Sequence, residues 1–286
     1  MKIGLMLGGG GAFGAYQLGV IKALKEENLL DKISVMAGSS IGAVNILMIM
    51  AELSLDEMEE IWNNFNNDSI KAHKVYFKNK KKSWFNTDSF YEEMITNIDI
   101  DKIKNSKIKG YATVKEVKSS KIRHQANYFH GEKQYLLLNE ADNPFQVTRG
   151  STSIPLIFGI VEIDNHYYVD GGTIDNNPMT PLIEEGCDLI LAVPLATKLN
   201  YKKYEKEGLT IIDFKHGSYF SRFNSFNLLK VMNFDENFIT KLKEEGYHWA
   251  KEIIKLLKKR QIIDENQFKI DNKDFKYYNL IILKGE

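Results

Sequence analysis

The sequence predicts a three-layer α/β/α fold on a mainly parallel central sheet. Two observations near the N-terminus carry that prediction. Two apolar runs each end in a glycine turn, and a helical segment with an apolar face follows each of them. Strand–helix–strand–helix order supplies the long crossovers that parallel strands need.

Met1 to Leu7 is a short apolar run closed by Gly8 to Gly11, so it reads as a strand and a tight turn. Gly14 to Glu27 has helical spacing, with Leu18, Ile21, Leu24, Ala15 and Ala23 on one side. Asn28 to Lys32 breaks the pattern, and Ile33 to Ala37 is a second strand ending in a glycine turn. Gly42 to Leu53 is almost wholly apolar, which predicts a buried helix. Ser54 to Ser106 is polar and rich in Lys, Asn and aromatics, as helices and loops covering a site would be. Tyr111 to Val117 and Gln134 to Leu138 read as strands. Val161 to Val169 reads as a hairpin around Asp164-Asn165 that leads into Asp170-Gly171-Gly172. Leu189 to Pro194 is another buried strand. After Leu199 the composition shifts to Lys, Glu, Phe and Tyr, with a long amphipathic helix at Phe238 to Lys259 and a last strand at Tyr277 to Leu283.

Composition narrows the function. The 286 residues carry 38 basic and 38 acidic side chains, and this zero formal balance argues against a general nucleic-acid binder. Cys187 is the only cysteine, so no intrachain disulfide and no multi-cysteine metal site is expected. It begins an apolar run and reads as an inert core residue. The N-terminus has no signal-peptide pattern, and the longest apolar run, Ile41 to Ala51, is too short to span a bilayer. A cytoplasmic protein that touches membranes only peripherally fits these features.

Gly38-Ser39-Ser40-Ile41-Gly42 is a Gly-x-Ser-x-Gly turn between a strand and a helix. That frame exposes a serine on a strained turn and leaves room for close strand–helix approach. A serine hydroxyl is a poor nucleophile until it is oriented and given a base. At Ser40 the free N–H groups of the helix start also favour negative charge. A serine that merely caps the helix fits the pentapeptide as well.

Gly8-Gly9-Gly10-Gly11-Ala12-Phe13-Gly14 can turn several N–H groups toward one point and so cradle an anion. An oxyanion hole and a dinucleotide phosphate grip both use such a cradle. The dinucleotide site needs an acidic residue at the end of the second strand, where this chain has Ala37-Gly38-Ser39-Ser40. Of the six histidines, His73, His124, His130, His166, His216 and His248, none sits in a glycine-framed turn. Asp170 ends a strand before Gly171-Gly172, where it could face a pocket and take the serine proton; a plain turn aspartate is the alternative.

Together these segments resemble the patatin-like phospholipase domain. The glycine loop through Gly14 is followed by Ala15-Tyr16-Gln17-Leu18-Gly19-Val20-Ile21-Lys22-Ala23-Leu24, and the elbow continues into Ala43-Val44-Asn45. Ser151-Thr152-Ser153-Ile154-Pro155-Leu156-Ile157-Phe158 is similar to the family's segment ahead of its aspartate, and Asp170-Gly171-Gly172 with Asn177-Pro178 matches the block around it. The resemblance implies a catalytic domain over residues 1–200 and a C-terminal extension over 201–286, a helix and a final strand, packed on the same fold. It implies a Ser40–Asp170 dyad, an oxyanion hole at Gly9, Gly10 and Gly11, supporting glycines at Gly14, Gly38, Gly42, Gly171 and Gly172, and no metal or other cofactor. Its substrates would be fatty-acyl esters of phospholipid, lysophospholipid or related lipids; similar bacterial proteins are often intracellular. One departure is Phe13, where the family commonly has Arg or Lys. That leaves a second reading open, a catalytically silent lipid-binding or scaffold protein of this fold. The lysines and aromatics of residues 71 to 85 suit a membrane interface or a solvated loop, and Tyr219 to Phe226 suits an acyl pocket or simple packing.

Overall fold

The computed structural model describes residues 1–64, 98–118, 130–154, 158–195, 198–215, 231–271 and 273–285. The stretches 71–85 and 219–226, together with His73, His124, His216 and residues 155–157, lie outside the described residues.

The chain opens with β1 (Ile3–Leu7), α1 (Gly14–Glu26), β2 (Ile33–Ser39), α2 (Ile41–Met50) and α3 (Leu55–Asn64). There follow α4 (Ile100–Lys104), β3 (Lys109–Val117), β4 (Glu132–Leu137), α5 (Pro144–Thr152), β5 (Val161–Ile163) and β6 (His166–Asp170). Then come α6 (Thr180–Glu184), β7 (Leu189–Val193), β8 (Thr210–Asp213), α7 (Glu236–Lys259), β9 (Ile263–Asp264), β10 (Gln267–Phe268), β11 (Lys276–Tyr278) and α8 (Leu280–Lys284). The sheet runs β11-β8-β7-β1-β2-β3-β6-β5, with β4 also on β3. Pairings from β11 across to β3 are parallel, and those of β3 with β4 and β6, and of β5 with β6, are antiparallel.

Alternation along the strands shows why both faces are covered. Leu5, Leu7, Met36, Leu189, Leu191 and Ile212 join one buried cluster with α1, α2, α3 and α7. Met6, Val35, Ala37, Ile190, Ala192 and Ile211 join a second cluster with Leu182 of α6 and with Cys187. A sheet buried on both faces is what continuous apolar strands require. Cys187 sits in that core, and burial pushes its thiol up to about 11. The β5–β6 hairpin turns at Asp164 and Asn165, both at positive φ (51° and 65°), as a tight primed turn demands.

The last element differs from expectation. The strand stops at Tyr278, and Leu280–Lys284 is helical. Asn279 ends the strand because its side-chain oxygen accepts the Ile282 N–H at 2.8 Å and caps a helix. Leu280 and Leu283, three residues apart, are then the buried pair. The sheet also draws β8 and β11 from beyond residue 200. Among the described residues no helix is long and apolar enough to cross a membrane.

Candidate active site

β3 acts as the ruler of the site. Parallel β2 ends with Ser39 opposite Thr113, and antiparallel β6 ends with Asp170 opposite Val114. Since β4 occupies one edge of β3 from Tyr111 to Glu116, β2 and β6 share the other edge and meet nearly end to end. Ser40 follows β2 directly and caps α2 with φ 52° and ψ −126°, a conformation a non-glycine residue adopts only when its surroundings enforce it. Gly38 and Gly42 make that turn possible: a Cβ on Gly38 would lie 2.6 Å from the Ala43 nitrogen, and one on Gly42 would run into the Leu7 carbonyl.

The Ser40 hydroxyl donates to Asp170 Oδ2 at 2.7 Å, and both residues are buried. Asp170 Oδ1 accepts the Gly172 N–H at 2.6 Å, within the short turn Gly171–Thr173. Burial dominates the electrostatics and raises the Asp170 carboxyl to about 6, against the opposing pull of the Ser40 and Gly172 hydrogen bonds.

The glycine loop lies beside this pair. Gly8 N–H donates to Val193 O, and Gly9 N–H to Asn176 O, each at 3.1 Å. Asn176 returns a side-chain bond to Gly9 O at 3.0 Å, so the turn after Asp170 is stitched to the loop. No protein acceptor among the described residues engages the N–H of Gly10 or Gly11. Below the loop runs a buried polar chain that sequence reasoning missed. Trp62 Nε1 donates to Asn45 Oδ1 at 3.0 Å, Asn45 Nδ2 to Gln17 Oε1 at 2.8 Å and to Gly14 O at 3.2 Å, and Gln17 Nε2 to Gly8 O at 2.8 Å. The available signal was one amide on the buried side of α1 and another inside the otherwise apolar α2, because buried amides are kept only when satisfied.

Phe13 is buried and meets Phe238 of α7 edge-on, with ring centroids 5.7 Å apart. The place of a cation is therefore filled by an aromatic packed against the C-terminal helix. His130 and His166 are exposed, the latter 2.7 Å from Glu116 through Nδ1, and His248 lies on α7 against Trp249. None of these three touches Ser40.

A family model described as patatin-like phospholipase matches residues 5–183. A curated relative, Lysophospholipase NTE1 of Kluyveromyces lactis, is 24% identical over 197 residues, which cover 68% of this chain and 13% of that protein. Among solved structures, VipD from Legionella pneumophila is similar at 12% identity and a TM-score of 0.46, covering 89% of this chain and 66% of that one. The ExoU–SpcU complex of Pseudomonas aeruginosa is similar at 14% identity and a TM-score of 0.43, covering 89% and 51%. The chain thus spans only part of each of these proteins.

Proposed function

The chain belongs to the patatin-like phospholipase family, and from that premise we propose that it is a lipid acyl hydrolase with Ser40 as nucleophile and Asp170 as base. The observation that carries this reading is the 2.7 Å bond from the Ser40 hydroxyl to Asp170 Oδ2. A carboxyl raised to about 6 is ionised at neutral pH yet basic enough to accept a proton in the transition state. The family's usual substrate class, together with a relative named as a lysophospholipase, supports a fatty-acyl ester of a glycerolipid.

In the proposed reaction Ser40 Oγ attacks the ester carbonyl while its proton passes to Asp170 Oδ2. The carbonyl oxygen becomes an oxyanion and turns toward the N–H groups of Gly10 and Gly11, which no acceptor among the described residues engages. Gly9, expected as a third donor, has its N–H bonded to the Asn176 carbonyl at 3.1 Å and so steadies the loop instead. Collapse of the intermediate breaks the bond to the alcohol, which leaves with the proton from Asp170. Water then attacks the acyl-serine, giving its proton to Asp170, and the second collapse returns that proton to Ser40 and frees the fatty acid. Ser40 and Asp170 are both buried, so the ester of the lipid must reach them from the surface, and peripheral membrane contact is part of the proposal.

The test is labelling by a fluorophosphonate probe, run beside hydrolysis of a panel of phospholipids, lysophospholipids, triacylglycerols and acyl thioesters, with Ser40→Ala as control. Labelling at Ser40 with release of fatty acid from one lipid class is expected. A wild-type protein that binds lipid vesicles but neither labels nor hydrolyses would instead be a silent scaffold.

A further inference from the structure

We propose that Ser151 is a positioning residue that keeps the Ser40–Asp170 pair in register. It lies in the last turn of α5 and is fully buried. Its hydroxyl oxygen accepts the Ser40 N–H at 2.9 Å and donates to the Thr113 carbonyl at 2.6 Å. Two residues on, the Ser153 carbonyl accepts the Asp170 N–H at 2.8 Å. One turn of chain therefore holds the backbone of both members of the pair, and it ties them to the β3 residue that measures their separation.

Physical necessity lies behind the Ser40 bond. Ser40 is the cap of α2, so its N–H has no partner inside the helix, and it is buried away from water. Ser151 supplies the missing acceptor and so enforces the positive φ of the elbow. Without that acceptor the turn can relax, and the Ser40 hydroxyl leaves its alignment with Asp170. The same bond keeps the Ser40 N–H from serving as an oxyanion donor, so that task falls wholly to other N–H groups.

This inference rests on the reading of Ser40 as nucleophile, and the experiment separates the two. Three variants are compared with wild type: Ser151→Ala, Ser151→Cys, which keeps the volume but accepts hydrogen bonds poorly, and Thr148→Ala. Thr148 is buried in the same helix, and among the described residues its hydroxyl bonds to Phe145 O (2.9 Å) and Pro144 O (3.2 Å) and to neither member of the pair. Both Ser151 variants are expected to slow fluorophosphonate labelling and kcat for a p-nitrophenyl acyl ester by about 10- to 100-fold, with KM within about threefold, whereas Thr148→Ala stays within about threefold of wild type on every measure. Wild-type rates in Ser151→Cys, or an equal loss in Thr148→Ala, overturn the proposal. Amide hydrogen exchange at Ser40 needs no turnover: it should accelerate in both Ser151 variants and not in Thr148→Ala. If wild type itself fails to label, the nucleophile reading falls, and exchange alone decides whether Ser151 holds the elbow.

Discussion

The hydroxyl of Ser40 donates to Asp170 Oδ2 at 2.7 Å across 130 positions of sequence. No single element spans that interval. Two strands of opposite direction meet end to end along one edge of β3, at Thr113 and Val114. The pair is a consequence of sheet register, and a slip of one residue in β6 would turn the carboxylate to the other face.

If this contact is the catalytic one, Ser40→Ala and Asp170→Asn should each lower kcat by about 1,000-fold or more, since members of a catalytic unit fail together. The double variant should lose little beyond either single one. Initial rates on an acyl ester, with circular dichroism to verify folding, check this. Near-wild-type turnover in Asp170→Asn would assign the base elsewhere.

The raised carboxyl of Asp170 makes a two-sided pH prediction. kcat/KM should climb as pH rises through about 6, where Asp170 becomes the ionised base. Stability should move the opposite way. The native carboxyl holds its proton up to about 6, while the unfolded one loses it near 3.8, so between these values the native state binds more protons and loses stability as pH rises. Asp170→Asn should therefore be more stable than wild type at pH 7.5, by up to about 3 kcal/mol, with the gain gone below about pH 4. Urea titrations at the two pH values measure it. Asp213, also raised to about 6 by burial, adds a similar slope in both proteins and cancels in the comparison.

Restoring the family's cation at position 13 should fail. Phe13→Arg would place a guanidinium in a buried site against the Phe238 ring. A buried charge without a partner is expensive, and the loss should be about 2–4 kcal/mol of unfolding free energy. Adding Phe238→Glu should recover part of it, because the two substitutions meet. Simple additivity of the two losses would show that the introduced guanidinium and carboxylate do not pair.

How far the sequence spoke depended on how local each signal was. The elbow, the Asp164-Asn165 hairpin and the apolar strands β1, β2 and β7 were legible because glycine frames, turn residues and continuous apolar runs are local. β8 was not, since Thr210 to Asp213 is only four residues inside a lysine-rich stretch, and its membership of the sheet is set by β7 and β11. Leu280 to Leu283 misled because a four-residue apolar run suits strand or helix equally, and Asn279 decides it. Ser151 was visible only as part of a family block. Its partners, Ser40 and Thr113, are 111 and 38 residues away, and no periodicity can reveal such bonds.

α7 crosses α1 with glycine against backbone. A Cβ on Gly246 would run into the Tyr16 carbonyl, and one on Gly19 into the Lys243 carbonyl. Glycine in a helix interior normally weakens it by about 1 kcal/mol relative to alanine. Here Gly246→Ala should have the opposite sign, destabilising by about 2–3 kcal/mol, because the helices must separate to admit a methyl group. Since α1 follows the glycine loop directly, labelling at Ser40 should also slow. A more stable Gly246→Ala protein, read by thermal unfolding, would contradict the crossing.

The buried chain Trp62–Asn45–Gln17 gives the last prediction. Asn45 uses both ends of its amide: Oδ1 accepts from Trp62, and Nδ2 reaches Gln17 and the Gly14 carbonyl. Gln17 in turn holds the Gly8 carbonyl at the root of the glycine loop. Asn45→Leu keeps the γ-branched shape and suits an apolar helix, so hydrophobic patterning alone would rank it harmless or stabilising. The hydrogen bonds argue otherwise. It leaves the Trp62 N–H and the Gln17 oxygen buried without partners, at about 1–3 kcal/mol each. Asn45→Leu should therefore destabilise by about 2–5 kcal/mol, whereas Asn45→Leu combined with Trp62→Phe and Gln17→Leu should recover most of that loss, since no buried group of the three side chains is then unpaired. The Gly8 carbonyl loses its anchor in the triple variant, so its stability should return without its activity. Recovery of both together would mean that the chain braces the core but does not hold the loop.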